Sequence, residues 1–212
     1  MTTLLLIRHG YSEANHVGIF TGHTDVALNK QGIKQAELTA EYIAENYKIS
    51  KVYSSDLKRA QKTAECISKI VKADVMLQEN LREIYGGEWE GVTFNDLPKL
   101  YPAEFDVWIS DIGSSACVGG ESVKQVGERA IDALTKIAEE NDGKTVVVVT
   151  HGAFIRTAQS IIETGGLKAM QNIPYVSNAS VTEVEYDGNF NVKSVSYDDH
   201  LGELSTVLPD YV

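Results

Sequence analysis

The sequence predicts a three-layer α/β/α fold with a largely parallel central sheet, an edge hairpin and a short helical insertion. Three observations carry that expectation. The runs Leu4-Leu5-Leu6-Ile7 and Val146 to Val149 are short, apolar and halted by turn residues, as strands covered on both faces are. Stretches with apolar residues at helical spacing lie between such runs. Near the C-terminus the pattern changes to alternation on either side of Asp187-Gly188, which reads as a hairpin at a sheet edge.

Taken in order, the first strand is followed by a polar loop from Gly10 to Ala27. Lys30 to Asn46 then places Ile33, Ala36, Leu38, Ala40, Ile43 and Ala44 near a helical period, with Asn29 as N-cap. Lys51 to Ser54 reads as a short strand. Asp56 is expected to cap a helix whose Leu57, Ala60, Ala64, Ile67 and Ile70 form one stripe. Val75 to Gln78 reads as a third strand. From Tyr85 to Gly120 the periodicity is broken by Gly86-Gly87, Pro98, Pro102 and Gly113. This region is expected to be a lid-like insertion with short helices, in which Tyr85, Trp89 and Trp108 form a small core of their own. Ser122 opens a long helix as a capping box with Gln125, continued by Val126, Ala130, Ala133, Leu134, Ile137 and Ala138. The strand at Val146 leads into a helix from Ala153 to Glu163, and the hairpin strands are Ser180 to Tyr186 and Val192 to Tyr197. Residues 1–212 are thus expected to form one domain with an insertion at about 85–120.

The chain has 212 residues, 43% hydrophobic and 23% charged, an ordinary globular composition with no sign of disorder. Met1-Thr2-Thr3 has no basic leader, and the apolar run after it is too short for a signal peptide or a membrane span, so a cytoplasmic location is expected. Cys66 and Cys117 show no CxxC spacing, which argues against a disulfide framework. A net charge of −11 disfavours nucleic acid and anionic membranes as partners. It also gives no long-range attraction for anions, so an anion site must be a small local cluster of cations. A homo-oligomer is left open.

Ligands of parallel α/β sheets bind beyond the carboxyl ends of the strands. Arg8-His9 follows the first strand, Ser54 to Arg59 the second, Leu81-Arg82-Glu83 the third, and His151 the fourth. All four should open on one rim and assemble two guanidinium groups, two imidazoles and a carboxyl. Two converging arginines call for an anion between them, and the planar guanidinium suits phosphate oxygens. The first turns of the helices after Ser55 and His151 could add backbone N–H donors.

At these positions, Arg8-His9-Gly10, Ser54 to Arg59, Glu83 and His151-Gly152, the chain resembles the histidine phosphatase superfamily, the fold shared by cofactor-dependent phosphoglycerate mutases. The likeness extends to Ser12, Asn15, Phe20-Thr21-Gly22 with Asp25 and Leu28, Gly32 with Gln35-Ala36, and Gly119-Gly120-Glu121-Ser122. The resemblance implies a phosphohistidine mechanism without a metal or nucleotide cofactor. His9 would attack phosphorus through one ring nitrogen while the other donates to a nearby backbone carbonyl. Arg8 and Arg59 would keep that imidazole neutral and spread the transition-state charge. His151 would donate to a phosphoryl oxygen. Glu83 would protonate the leaving oxygen and then activate water; its selection over Glu79, Glu88 and Glu90 rests on the family register. Asn15, with Thr21 and Gly22, would supplement the oxygen cradle of the substrate. His16, His23 and His200 lack any metal-ligand spacing, although His23 could line the mouth. Arg82 is expected in a supporting ion pair and Arg156 in a structural role.

Where the mutases place an arginine directly after the acid, a tyrosine two residues later and an asparagine after the second His-Gly, this chain has Ile84, Gly86 and Ala153. The insertion holds one basic residue, Lys99, among several acids. The expected function is therefore that of a phosphomonoesterase acting on a small phosphorylated metabolite. A phosphoglycerate mutase and a non-catalytic binder of phosphorylated ligands are the alternatives.

Overall fold

In the computed structural model, residues 1–206 are described. Six strands, β1 (Thr2–Arg8), β2 (Ile49–Ser54), β3 (Val75–Leu77), β4 (Thr145–Thr150), β5 (Val181–Tyr186) and β6 (Phe190–Tyr197), form one sheet in the order β3-β2-β4-β1-β5-β6. The first four strands in that order run parallel, and β5 joins β1 antiparallel and turns back as β6. The seven α-helices are α1 (Glu13–Val17), α2 (Lys30–Asn46), α3 (Lys58–Val71), α4 (Leu97–Leu100), α5 (Pro102–Ser110), α6 (Val123–Glu140) and α7 (Gly152–Thr164) among the described residues.

Successive strand residues point to opposite faces, and both faces of this sheet are covered. Leu5, Ile7, Val52, Val147 and Val149 pack with Ala40 and Ile43 of α2 and Ala60, Ala64 and Ile67 of α3. Leu4, Leu6, Tyr53, Val146 and Val148 pack with α6 and α7 through Ala130, Leu134, Ile137, Phe154 and Ala158. That double cover is why both strands read as unbroken apolar runs. Each such side chain contributes about 1.5–3 kcal/mol on leaving water.

Asn29 and Ser122 cap α2 and α6 as their side chains suggest, the second in a full capping box with Gln125. Asp56 does not cap α3. Its carboxylate makes a two-point ion pair with Arg82, and such charge-assisted bonds outcompete a cap bond to a neutral N–H. Asp25, from the loop after β1, takes over and accepts from Lys58 N at 2.7 Å. That loop also contains the short helix α1, opened by a capping box of Ser12 and Asn15. The hairpin turn is one residue longer than Asp187-Gly188 suggests, because Tyr186 pairs with Phe190.

The region after Glu83 carries the short helices α4 and α5. Trp89 and Trp108 lie in a third core with Phe20, Leu97, Ile112 and Met170. Tyr85 is outside it. Its backbone is held to Glu121 from both sides, and its ring is exposed and lies 5.2 Å from that of His23. Both cysteines are free thiols. Among the described residues, no helix is long and apolar enough to cross a membrane.

Candidate active site

The parallel register that sets Arg8 beside Thr150 delivers one histidine one step beyond each of β1 and β4. His9 N donates to Thr150 O at 3.0 Å, and the two imidazole centroids stand 5.1 Å apart at an interplanar angle of 61°. His9 Nδ1 lies 2.8 Å from Gly10 O, an acceptor only, so Nδ1 carries the proton and Nε2 keeps a lone pair. His151 occupies the N-cap position of α7 without capping it. Its Nε2 is instead 2.9 Å from Ser55 Oγ.

Charge at this rim is arranged to keep both rings neutral. Burial drives the His9 imidazole well below its ordinary range, with Arg59 and Arg8 adding to the effect. His151 is displaced in the same direction by burial and then by Arg59. Arg8 is buried, donates to Val176 O at 2.6 Å and stacks over Tyr175 at 5.3 Å. Arg59 donates to Gly22 O at 2.7 Å and Thr24 O at 2.9 Å; burial lowers it to about 10, which still leaves it cationic at neutral pH. Arg8 Nε, Arg59 Nε and His151 Nδ1 are buried nitrogens with no hydrogen-bond partner in the protein. Such groups are uncommon, and all three belong to residues at the strand-end rim.

Glu83 arrives on the loop after β3. Thr150 Oγ1 holds that loop through Leu81 O at 2.7 Å, and the Glu83 carboxylate accepts from Ile84 N at 3.0 Å and Ala153 N at 3.3 Å. Arg8, His9, Asn15, Thr21, Gly22 and Glu83 line one cavity of about 270 Å³. Arg59 and His151 are almost fully buried behind that wall: Arg59 bonds the carbonyl of the wall residue Gly22, and the His151 ring stands 5.1 Å from that of His9. Asn15 spends its carbonyl oxygen on the α1 capping box, leaving its NH₂ as the donor it can offer. Gly22 has a left-handed φ of 48°, and its carbonyl serves Arg59.

The model of the histidine phosphatase superfamily (branch 1) matches residues 4–199. The chain belongs to that superfamily. It is 37% identical over 158 residues to phosphoglycerate mutase-like protein 4 of Arabidopsis thaliana, covering 73% of this chain and 68% of that protein. It is 34% identical over 158 residues to a metal-independent phosphoserine phosphatase of the same plant, covering 74% and 66%. Among solved structures, the phosphoserine phosphatase of Entamoeba histolytica in complex with 3-phosphoglyceric acid superposes with a TM-score of 0.84 at 32% identity, covering 95% of this chain and 100% of that one.

As a histidine phosphatase, the chain brings together the arginines, histidines and acid that its strand ends promised. Other supporting residues were not visible in the sequence. Asn178 Nδ2 donates to His9 O at 3.0 Å, and Ala179 N donates to Arg8 O at 2.9 Å. Both sit between α7 and β5 in an aperiodic stretch, and the antiparallel pairing of β5 with β1 brings them to His9. Ser55, within the Ser54 to Arg59 segment, is the residue that orients His151. Arg82 pairs with Asp56, and Arg156 donates to Ile173 O and Met170 O, the supporting roles their positions suggested. His23 does not line the cavity; its Nε2 lies 2.9 Å from Glu83 O.

Proposed function

We propose that the chain hydrolyses small phosphomonoesters through a phosphohistidine formed on His9. The observation that carries this reading is the neutral, buried imidazole with its Nδ1 proton committed to Gly10 O, which leaves Nε2 as nucleophile beside two guanidinium groups. Nε2 attacks phosphorus, the ester P–O bond breaks, and Glu83 gives its proton to the departing alcohol oxygen. Glu83, now a carboxylate, takes a proton from the water that attacks the phosphohistidine. The P–N bond breaks, inorganic phosphate leaves, and His9 and Glu83 return to their starting forms. Arg8, Arg59 and His151 stabilise the charge on the equatorial oxygens, with the Asn15 amide and the Thr21-Gly22 segment completing the cradle.

The rest of the cavity wall includes Val17, Ile19, Phe20, Phe94 and Trp108, and its described cationic side chain is Arg8, beside the imidazoles His9 and His16. Among the described residues of this wall no lysine or second arginine stands ready to clamp a substrate carboxylate, which disfavours the mutase reading and favours an uncharged alcohol portion packed on the apolar part of the wall. Phosphoserine, the substrate in the names of an Arabidopsis relative and the Entamoeba structure, is the natural comparison. In a phosphate-release screen, aryl and alkyl phosphates should give higher kcat/KM than phosphoserine or phosphoglycerate, and His9→Ala should abolish release from all of them. Fastest turnover of phosphoserine would reject the apolar-wall reading alone, whereas undiminished release by His9→Ala would reject the enzyme mechanism.

A further inference from the structure

Arg129 belongs to α6 and stands apart from the cavity, yet its guanidinium is the most fully used cation in the protein. Nε donates to Glu121 Oε1 at 2.8 Å and Nη2 to Glu121 Oε2 at 2.9 Å. The second Nη2 proton goes to Glu83 O at 2.7 Å, and Nη1 divides its two between Arg82 O at 2.7 Å and Asn80 O at 3.1 Å. A guanidinium has five N–H groups, and all are matched. The group also lies 5.8 Å over the ring of Phe154, one residue beyond the backbone N–H that meets Glu83 Oε2. Glu121 is itself anchored, since Oε2 accepts from Tyr85 N and its own N–H donates to Tyr85 O.

We propose that Arg129, braced by Glu121, is the positioning residue that holds the Glu83 loop in register with the leaving-group oxygen. The proposal rests on the reading of Glu83 as the proton donor. With every N–H committed to protein acceptors, Arg129 has none to offer a phosphate, so its influence on the reaction passes through Glu83. The carboxylate of Glu83 is held by backbone N–H groups, one of them in its own loop, so displacement of that backbone displaces the carboxyl. Proton transfer demands contact at roughly 2.6–3.2 Å, a tolerance that a loosened loop exceeds. The same guanidinium joins Asn80, Arg82 and Glu83 on one side to Glu121, which holds Tyr85, on the other. It therefore pins the chain on both flanks of the acid, where the helical insertion leaves and rejoins the fold.

The test compares p-nitrophenyl phosphate, whose leaving group needs little protonation, with an alkyl phosphate that needs a great deal. Glu83→Gln should slow the alkyl ester far more than the aryl ester. Arg129→Lys keeps the charge but cannot make the five bonds, and it should show the same selectivity in reduced form. A loss on the alkyl ester roughly ten- to hundred-fold larger than on the aryl ester is expected, a fraction of what general acid catalysis supplies. In the Glu83→Gln background, Arg129→Lys should add little, because the group it positions is already gone. Glu121→Gln approaches the same brace from the other end and should give a weaker version of the pattern, which keeps the test available if Arg129→Lys folds poorly. Equal losses on both esters, or full additivity with Glu83→Gln, would assign Arg129 a purely structural role and overturn the proposal while leaving the acid in place. Equal slowing of both esters by Glu83→Gln itself would instead remove the acid assignment, and the positioning role with it.

Discussion

His9 is held neutral because burial and two neighbouring guanidinium groups outweigh the opposing pull of its bond to Gly10 O. Burial penalises the imidazolium, and the guanidinium groups of Arg59 and Arg8 repel it. His151 is displaced in the same direction by burial and by Arg59. His9 therefore stays unprotonated at a pH where an exposed histidine has begun to charge, and if it is the nucleophile the acid limb of the kcat/KM profile should lie below the ordinary histidine value of about 6.5. The same displacement governs stability. Unfolding returns both rings to water, where they take up protons once the pH falls below about 6.5. Their contribution to stability is present in full above that value and is lost as the pH falls toward their depressed folded-state values. Each ring costs about 1.4 kcal/mol of stability per pH unit in that window. Urea unfolding at pH 7 and pH 5 should show the folded state clearly weaker at pH 5, in excess of what His9→Asn and His151→Asn variants show. Wild type and variants with the same pH dependence would mean that these rings are not protected from protonation by the fold.

Two glycines, Gly10 after β1 and Gly32 in the first turn of α2, allow the loop carrying His9 to lie directly on α2. A Cβ on Gly10 would stand 2.4 Å from Gly32 O, and one on Gly32 would stand 2.0 Å from Tyr11 O. Both distances require the backbone to shift, and Gly10 O is the anchor of His9 Nδ1. Gly32→Ala should therefore cost about 1–3 kcal/mol in urea unfolding, as overpacking does, and lower kcat through the displaced imidazole. A variant of unchanged stability and rate would show that this contact is dispensable. The elements that the sequence made legible were those with their own local physics: β1 and β4 through their double-faced apolar runs, α2 and α6 through Asn29 and Ser122. The cap of α3 was hidden because Arg82 claims Asp56 and Asp25 arrives from a distant loop. Helix α1 has no legible period because it is only five residues long. Tyr85 has the aromatic character of a core residue, but the backbone bonds to Glu121 leave its ring exposed.

Across the whole molecule, the strand order β2-β4-β1 gathers the carboxyl ends that bear Arg59, His151, Arg8 and His9 onto one rim, with Glu83 entering after β3. Those residues were legible because each follows a recognisable strand end. Asn178, Ala179 and Arg129 lie in an aperiodic stretch and mid-helix, where only tertiary contacts show what they touch. With a net charge of −11 and a compact cationic site, the proposed mechanism has the phosphate dianion met at short range by guanidinium groups. A chelator should accordingly leave phosphate release unchanged, and vanadate should inhibit by taking the place of five-coordinate phosphorus; activity lost in EDTA and restored by a divalent ion would contradict that account of the charge. The most direct test of the mechanism is to quench the enzyme during turnover of a phosphorus-labelled ester and map the label by peptide sequencing. An acid-labile, alkali-stable adduct on His9, absent from His9→Ala, is the expected result, and a label on His151 or on a serine would contradict it.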